Sequence, residues 1–133
     1  MLFTRECDYA VRIFRALADG ELVNVQDISQ LEDISVSITY KIARKLEKAG
    51  YIKSYRGTNG GYRLKASLEK VTLYDVFLTI DRNLFITSCT KKEFQCNRNQ
   101  AENPCMVHKE FLRLQDMIEK ELKSRSLLEI MNG

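Results

Sequence analysis

The sequence predicts a mainly α-helical fold with a small β-hairpin wing: a winged helix-turn-helix followed by a long C-terminal dimerisation helix. Apolar residues recur at helical spacing in the first half, two strand-like segments flank a glycine-rich turn, and an apolar stripe runs through residues 107–122. The 133 residues fit one domain with an appended element, and 44% apolar residues suffice for a small core.

Two helices are predicted before residue 33. The first has an apolar face over residues 10–17 and ends at Gly20. Asn24 can cap a short second helix, because its side chain can accept a hydrogen bond from the first turn. Ile28 and Leu31 are expected on the inner face of that helix.

A third helix follows a turn over residues 33–37 and is expected to stop at Gly50. On a helical wheel its apolar side consists of Ile38, Ile42, Leu46 and Ala49. The opposite side carries Ser37, Tyr40, Lys41, Arg44 and Lys48. Two short helices joined by a tight turn, the second one basic, are typical of a helix-turn-helix whose second helix enters the major groove of DNA. We expect the major-groove contacts to come from Ser35, Ser37, Tyr40, Lys41 and Arg44.

Basic charge is concentrated in this region. The net charge is only +3, but residues 41–70 hold nine Lys and Arg side chains against Glu47 and Glu69. Such a stripe attracts DNA phosphates through counterion release. A solvated helix face without a nucleic-acid role is the alternative.

A β-hairpin is predicted after the third helix. Residues 51–55 and 62–65 have strand character, and the turn between them runs from Arg56 to Gly61. In a winged helix, Arg56 at the tip could enter the narrow minor groove, and Gly60 and Gly61 allow close backbone approach to DNA. The alternative is an ordinary hairpin with a solvated arginine.

Two further helices are predicted. Thr72 and Asp75 have the spacing of a capping box, and an apolar pattern follows to Ile80. The last helix, of about four turns, carries the stripe Val107, Phe111, Leu114, Ile118 and Leu122. Its simplest partner is the same helix of a second copy, and a homodimer would address a pseudo-palindromic double-stranded operator. A helix folded back onto its own domain is the alternative.

A cysteine-bearing loop separates these two helices. The chain thus divides into a DNA-binding domain (1–82), a loop that could bind a cluster (83–106), and a dimerisation helix and tail (107–133). The loop is long and polar, so something must order it or it stays disordered. It contains Cys89, Cys96 and Cys105, and the single histidine of the chain, His108, follows. Thiolates and imidazole favour a metal site.

The N-terminal segment has no apolar signal region, and no run of residues approaches the roughly 18 apolar positions that a membrane span needs. We therefore expect a cytoplasmic protein without a membrane partner. Thiols are kept reduced there, which favours ligands or redox sensors over disulfides. The distant Cys7 is interpreted as a small buried hydrophobic residue rather than a reactive thiol.

The chain resembles the Rrf2 family of bacterial winged helix-turn-helix repressors, which includes IscR-like and NsrR-like members. The resemblance covers nearly the whole chain. It rests on Asp8-Tyr9-Ala10, on Ala49-Gly50-Tyr51-Ile52, on the wing from Arg56 to Leu64, and on the three-cysteine loop.

This resemblance implies a homodimeric transcription regulator that holds an iron-sulfur cluster on Cys89, Cys96 and Cys105. Six and eight residues separate these cysteines, a wider spacing than the family commonly has. The fourth ligand is open between His108, as in IscR-like 2Fe-2S sites, and Asp8 of the other subunit, as in some NsrR-like 4Fe-4S sites. We favour His108, and hence 2Fe-2S, because Cys105 and His108 lie within one helical turn.

The resemblance also places Ser35, Tyr40 and Lys41 at base-contacting positions. Tyr40 stands where IscR-like members have an acidic residue, so we expect a different operator. The cluster would sense redox state, nitric oxide or iron-sulfur status, because iron bound by thiolates is open to attack by oxygen, peroxide and nitric oxide.

Other classes of function are weaker alternatives. One is a winged-helix regulator with structural zinc, but zinc sites usually pair cysteines at C-x(2-4)-C and this spacing is absent from the sequence. Another is a metal-free thiol redox switch. An electron carrier or an enzyme ranks last, because the sequence supplies no C-x-x-C, general base or cofactor motif.

Overall fold

The protein is described here by a computed structural model covering residues 3–133. Within that range there are six α-helices and one antiparallel two-stranded sheet. In chain order they are α1 (Arg5–Ala16), α2 (Val25–Glu32), α3 (Val36–Lys48), β1 (Ile52–Tyr55), β2 (Gly61–Leu64), α4 (Leu73–Ile80), α5 (Met106–Lys123) and α6 (Leu127–Asn132). A single 3-10 turn, Ser88–Thr90, lies in the loop between α4 and α5. Among these residues no helix is long and apolar enough to cross a membrane.

Helices α1 and α2 pack against each other with one difference from the sequence expectation. The Asn24 side chain accepts a hydrogen bond from the Asp27 amide at 2.8 Å, which confirms the cap. Leu31, expected inside, is 68% exposed. The buried face of this short helix instead runs through Val25, Ile28 and Glu32, and the Glu32 carboxylate is paired with Arg15 of α1.

Helix α3 has the expected core face, with one correction at its end. Ile42 and Leu46 are fully buried. Ala49 was expected in the core but is exposed, because it is the C-cap residue where the chain leaves the helix. Gly50 follows with φ +89°, the left-handed conformation expected of a helix stop.

The hairpin is held to the helical body by its second strand. Its register pairs Ile52 with Leu64 and Tyr55 with Gly61. Tyr62 also exchanges two backbone hydrogen bonds with Val23, at 2.9 and 2.8 Å. The wing is therefore fixed against the segment that precedes α2.

The hydrophobic core lies among helices α1 to α4 and includes a contribution from the C-terminus. Its fully buried side chains come from α1 to α4, from β1, and from Leu127 of α6. Cys7 is 1% exposed within it, which confirms its interpretation as a small hydrophobic residue.

The C-terminus was expected to be a tail, but residues 127–132 form a helix. Ser126 and Glu129 make a capping box that starts α6. The amides of Leu127 and Leu128 donate to the carbonyls of Val71 at 2.7 Å and Leu68 at 3.2 Å. The chain thus returns to the winged domain, and α5 is fixed to that domain at its C-terminal end.

Candidate DNA-binding face and cysteine site

The outer face of α3 presents the side chains expected to read DNA. Ser35 is the N-cap and accepts a hydrogen bond from the Ile38 amide at 3.3 Å. Ser37, Tyr40 and Arg44 are exposed along the helix. This placement fits the expectation that α3 is the recognition helix.

Lys41 is exposed as well, but it already has a partner within the chain. Its ammonium group forms an ion pair with Glu6 of α1, and Lys45 reaches the same carboxylate at 3.1 Å. The hydrogen bond from Lys41, followed by that from Lys45, lowers the pKa of Glu6 from its ordinary value. A DNA phosphate that contacts Lys41 or Lys45 would therefore have to compete with the Glu6 carboxylate.

The wing and the recognition helix border one open groove. It has a volume of about 590 Å³ and is lined by Tyr40, by the start of α2 and by the hairpin turn with Arg56, Gly60 and Gly61. Arg56 is exposed at the tip. The groove therefore lies between the two elements expected to contact DNA.

The two wing glycines have a reason within the protein itself. A Cβ atom on Gly61 would lie 2.3 Å from the carbonyl oxygen of Val23, and one on Gly60 would lie 2.2 Å from that of Tyr55. The tight turn and the close contact with residues 23–24 therefore require glycine at both positions, whatever these glycines do on DNA.

The cysteine loop brings its three thiols and the histidine together. Cys89, Cys96, Cys105 and His108 line one cavity of about 70 Å³. Phe94, Asn99, Val107 and Phe111 complete its walls. Each cysteine is a free thiol of intermediate burial. The volume of the cavity exceeds the roughly 10–15 Å³ that one water-sized probe needs, so the cavity could accept a small inorganic group.

Local hydrogen bonds position two of the sulfurs. The Thr87 hydroxyl donates to Cys89 Sγ at 3.4 Å, and Thr87 Oγ1 accepts from the Cys89 amide at 3.2 Å. Cys105 is the N-cap of α5, and its Sγ accepts a hydrogen bond from the His108 amide at 3.4 Å. The Asn99 side chain accepts from the Cys105 amide at 2.9 Å. Amide and hydroxyl donors to sulfur are the outer contacts that metal-bound thiolates typically have.

His108 carries the clearest sign that this site takes a ligand. Within the part of the chain that the structure describes, its Nδ1 atom is buried and has no hydrogen-bond partner. Buried polar atoms are normally paired, so such an atom needs an explanation. Three thiols and an imidazole nitrogen are donors that suit an iron-sulfur cluster, and the residues present therefore fit that group.

The ligand side chains are not arranged around a single point. Among residues 3–133, no group of three or more Cys, His, Asp or Glu side chains is placed to hold one metal ion. A tetrahedral ion needs all its ligands within about 2.0–2.3 Å of one centre, whereas a cluster distributes them over several iron atoms.

Asp8 does not join the cysteines within the protomer. It lies in the first turn of α1, and its carboxylate is bound by Arg12 at 3.0 Å. To be a ligand, Asp8 would have to come from a second subunit, which is how the 4Fe-4S alternative uses it.

Sequence reasoning missed the side chains that support these sites. Glu6 and Gln115 act on residues 29 to 39 positions away, so no local spacing indicated them. Thr87 could have been noticed, because a hydroxyl residue two positions before a cysteine can bond both its amide and its sulfur.

A basic recognition helix beside a hairpin wing defines the class of winged helix-turn-helix DNA-binding proteins. Residues 3–133 match the Rrf2 family, described as "Iron-dependent Transcriptional regulator". The chain belongs to this family, whose members are transcription regulators and not enzymes.

Relatives and solved structures agree with this assignment. The chain is 32% identical over 111 residues to IscR of Photorhabdus laumondii, covering 84% of this chain and 65% of that protein. It is 32% identical over 96 residues to NsrR of Bacillus licheniformis, covering 70% and 67% of the two chains. The fold matches CymR, the global cysteine regulator of B. subtilis, with a TM-score of 0.77 and 20% identity over 98% of this chain and 95% of that one.

Proposed function

We propose that this chain is a cytoplasmic, homodimeric repressor that senses redox state, nitric oxide or iron-sulfur status through an iron-sulfur cluster. The observation that carries the proposal is the cavity that Cys89, Cys96, Cys105 and His108 line together, with the buried His108 Nδ1 atom lacking a hydrogen-bond partner among the described residues. The relatives named IscR and NsrR support the same class of regulator.

Cys89, Cys96 and Cys105 would hold the cluster, with His108 as the favoured fourth ligand and a 2Fe-2S group as the favoured type. Asp8 of a second subunit, with a 4Fe-4S group, is the alternative. The chemistry that such a cluster supplies is reaction with oxygen, peroxide or nitric oxide. The spacing of the cysteines favours a cluster over structural zinc, because zinc sites usually pair cysteines at C-x(2-4)-C and no such pair occurs in the sequence.

The loop is the part of the chain that ligand binding would order. It contains few apolar anchors, and Phe94 is exposed. The loop joins α4, which packs on α1 and α3, to the long helix α5. Ordering or releasing it would therefore displace the N-terminal turns of α5 relative to the recognition helix, a population shift between two arrangements of the loop.

Dimerisation would use the apolar surface of α5. Of the predicted stripe, Val107 is exposed, and Phe111, Leu114, Ile118 and Leu122 are only partly buried within one protomer, so this face has apolar surface left for a second copy. Two copies joined along α5 would present two recognition helices and two wings to a pseudo-palindromic operator. The half-sites should lie one helical turn of about 10 base pairs, or a multiple of it, apart.

The test begins with iron, acid-labile sulfide and zinc per chain, together with the visible spectrum, on protein purified without oxygen. Equal iron and sulfide are expected, with about two irons per chain for the His108 site and about four for the Asp8 site. Zinc near one per chain without sulfide would overturn the proposal.

Single variants locate the ligands. Cys96→Ser and His108→Ala should lose the visible bands, while Asp8→Ala should keep them if His108 is the fourth ligand. Cys7→Ala is the matched control, because Cys7 is buried in the core and outside the cavity. Selection from a random DNA pool, with and without the cluster, then shows whether a palindromic site is bound and which form binds it.

A metal-free thiol switch is the second candidate, because three partly exposed thiols share one cavity. Two of them could reduce one peroxide to two waters and form a disulfide. Protein that contains neither metal, forms this disulfide with peroxide and changes its DNA affinity would establish this candidate instead.

A further inference from the structure

The long helix α5 has a glutamine where its core contact would be expected to be apolar. Gln115 lies in the middle of α5 and is 7% exposed. Its Oε1 accepts a hydrogen bond from the Ile86 amide at 2.9 Å, and its Nε2 donates to the Leu84 carbonyl at 2.7 Å and to Glu119 Oε1 at 2.9 Å. The side-chain amide is therefore fully used.

The backbone that Gln115 holds leads directly into the cysteine site. Residue 87 follows at once, and the Thr87 side chain binds both the amide and the sulfur of Cys89. The residue bound by Gln115, Ile86, is therefore directly followed by Thr87, whose side chain positions Cys89.

The same helix carries the other half of the site. His108, Phe111 and Gln115 occupy positions i, i+3 and i+7, so they share one face of α5. Both His108 and Phe111 line the cavity. Gln115 therefore lies about 10 Å along α5 from His108, at a helical rise of 1.5 Å per residue.

We propose that Gln115 is a positioning residue, which clamps the start of the cysteine loop to α5 and thereby sets the placement of Cys89 relative to Cys105 and His108. The inference rests on the proposed function, because its consequence is the retention of the group held by these residues. The reason is geometric. Within the described contacts, the side-chain amide of Gln115 donates to the Leu84 carbonyl and accepts from the Ile86 amide, and these two hydrogen bonds hold residues 84–86 against α5.

The test compares Gln115→Met with Gln30→Met. Methionine keeps the length of the side chain but removes the donors and the acceptor, while Gln30 is an exposed glutamine of α2. Hydrogen exchange of the Ile86 amide is measured on metal-free full-length protein. After anaerobic loading with iron and sulfide, the loss of visible absorption is followed in the presence of an iron chelator.

Gln115→Met should exchange the Ile86 amide faster and lose its absorption about 10- to 100-fold faster, the usual range for outer contacts of metal ligands. Gln30→Met should behave as wild type. If Gln115→Met does not fold, Gln115→Glu serves instead, since it keeps the size and the acceptor for Ile86 and lacks the donor to Leu84. Its rates of Ile86 exchange and of absorption loss should lie between those of wild type and those of Gln115→Met.

The outcomes separate the two proposals. Wild-type protein that takes up no iron and sulfide overturns the proposed function and, with it, the role of the clamp. A second outcome is that wild-type protein takes up iron and sulfide normally, while folded Gln115 variants lose their absorption at the wild-type rate. This outcome overturns the positioning role alone. A purely structural role would lower the midpoint of unfolding while leaving that rate unchanged.

Discussion

Replacing Glu6 by glutamine should make the protein bind DNA more tightly. Glu6 holds Lys41 and Lys45 of the recognition helix from the first turn of α1. These lysines cannot serve the carboxylate and a DNA phosphate at the same time. A glutamine side chain is neutral and nearly identical in shape to glutamate, so Glu6→Gln removes the competitor while keeping the fold of α1.

The size of the effect follows from the two ion pairs. Partly exposed pairs each contribute about 0.2–1 kcal/mol, so releasing two of them removes a cost of about 0.4–2 kcal/mol from binding. This range corresponds to about 2- to 30-fold tighter binding per protomer. Two lysines that become available to phosphates should also steepen the slope of log K against log salt by up to about 1.8 per protomer.

The assay is fluorescence anisotropy with a selected operator and with an unrelated duplex, across a series of KCl concentrations. Glu110→Gln is the matched control, because Glu110 is paired with Arg113 on α5, away from the recognition helix. Equal affinities and equal salt slopes for Glu6→Gln and wild type would refute the competition between Glu6 and DNA.

Stability gives an independent check with a definite sign. Because the hydrogen bonds from the two lysines lower the pKa of Glu6 below 4.5, the pairs stabilise the folded state fully above about pH 4.5. This stabilisation is lost as the pH falls through the lowered pKa. The difference in unfolding free energy between wild type and Glu6→Gln should therefore be smaller at pH 3 than at pH 7, as measured by urea titrations at both values.

Three further substitutions test the wing and the C-terminal anchor. Arg56→Ala should leave the unfolding free energy within about 0.5 kcal/mol of wild type. It should reduce the slope of log K against log salt for DNA binding by about 0.9 and relax any preference for a narrow minor groove. An unchanged slope in the anisotropy assay would rule out a phosphate contact. Gly61→Ala should lower the unfolding free energy by about 1–3 kcal/mol and weaken operator binding, because its Cβ would lie 2.3 Å from the Val23 carbonyl oxygen. A urea midpoint and a DNA affinity equal to those of wild type would contradict this. Leu127→Ala should cost about 2–5 kcal/mol in the same urea titrations, because this side chain is fully buried, and a loss under about 1 kcal/mol would show that α6 is not part of the core.

The features that could be predicted from the sequence depend on neighbouring residues. The Asn24 cap, the Gly50 stop and the Thr72–Asp75 capping box involve groups at most four residues apart, so their spacing alone indicated them. Helix α6 was missed, although Ser126 and Glu129 carry a capping-box pattern, because its six residues are too few for a clear apolar period.

The candidate site divides in the same way. Four donors in one polar stretch indicated a metal site without any geometry, and the structure brings those donors to one cavity. Glu6 and Gln115 could not be found, because each acts on a segment that only the tertiary fold places beside it. The wing glycines show the reverse case, since the sequence indicated their flexibility and the structure shows which protein backbone approaches them.

The position of α6 constrains how a signal at the cysteine loop could reach DNA. Helix α5 is fixed at its C-terminal end, because Leu127 is buried in the winged domain and the Leu127 amide bonds to Val71. Gln115 fixes its middle to segment 84–86. The N-terminal turns of α5, with Cys105 and His108, are the part of the helix whose position depends on the loop. Regulation in the proposed function would therefore act by local displacement of these turns and of the chain after α4, and not by rotation of the whole helix.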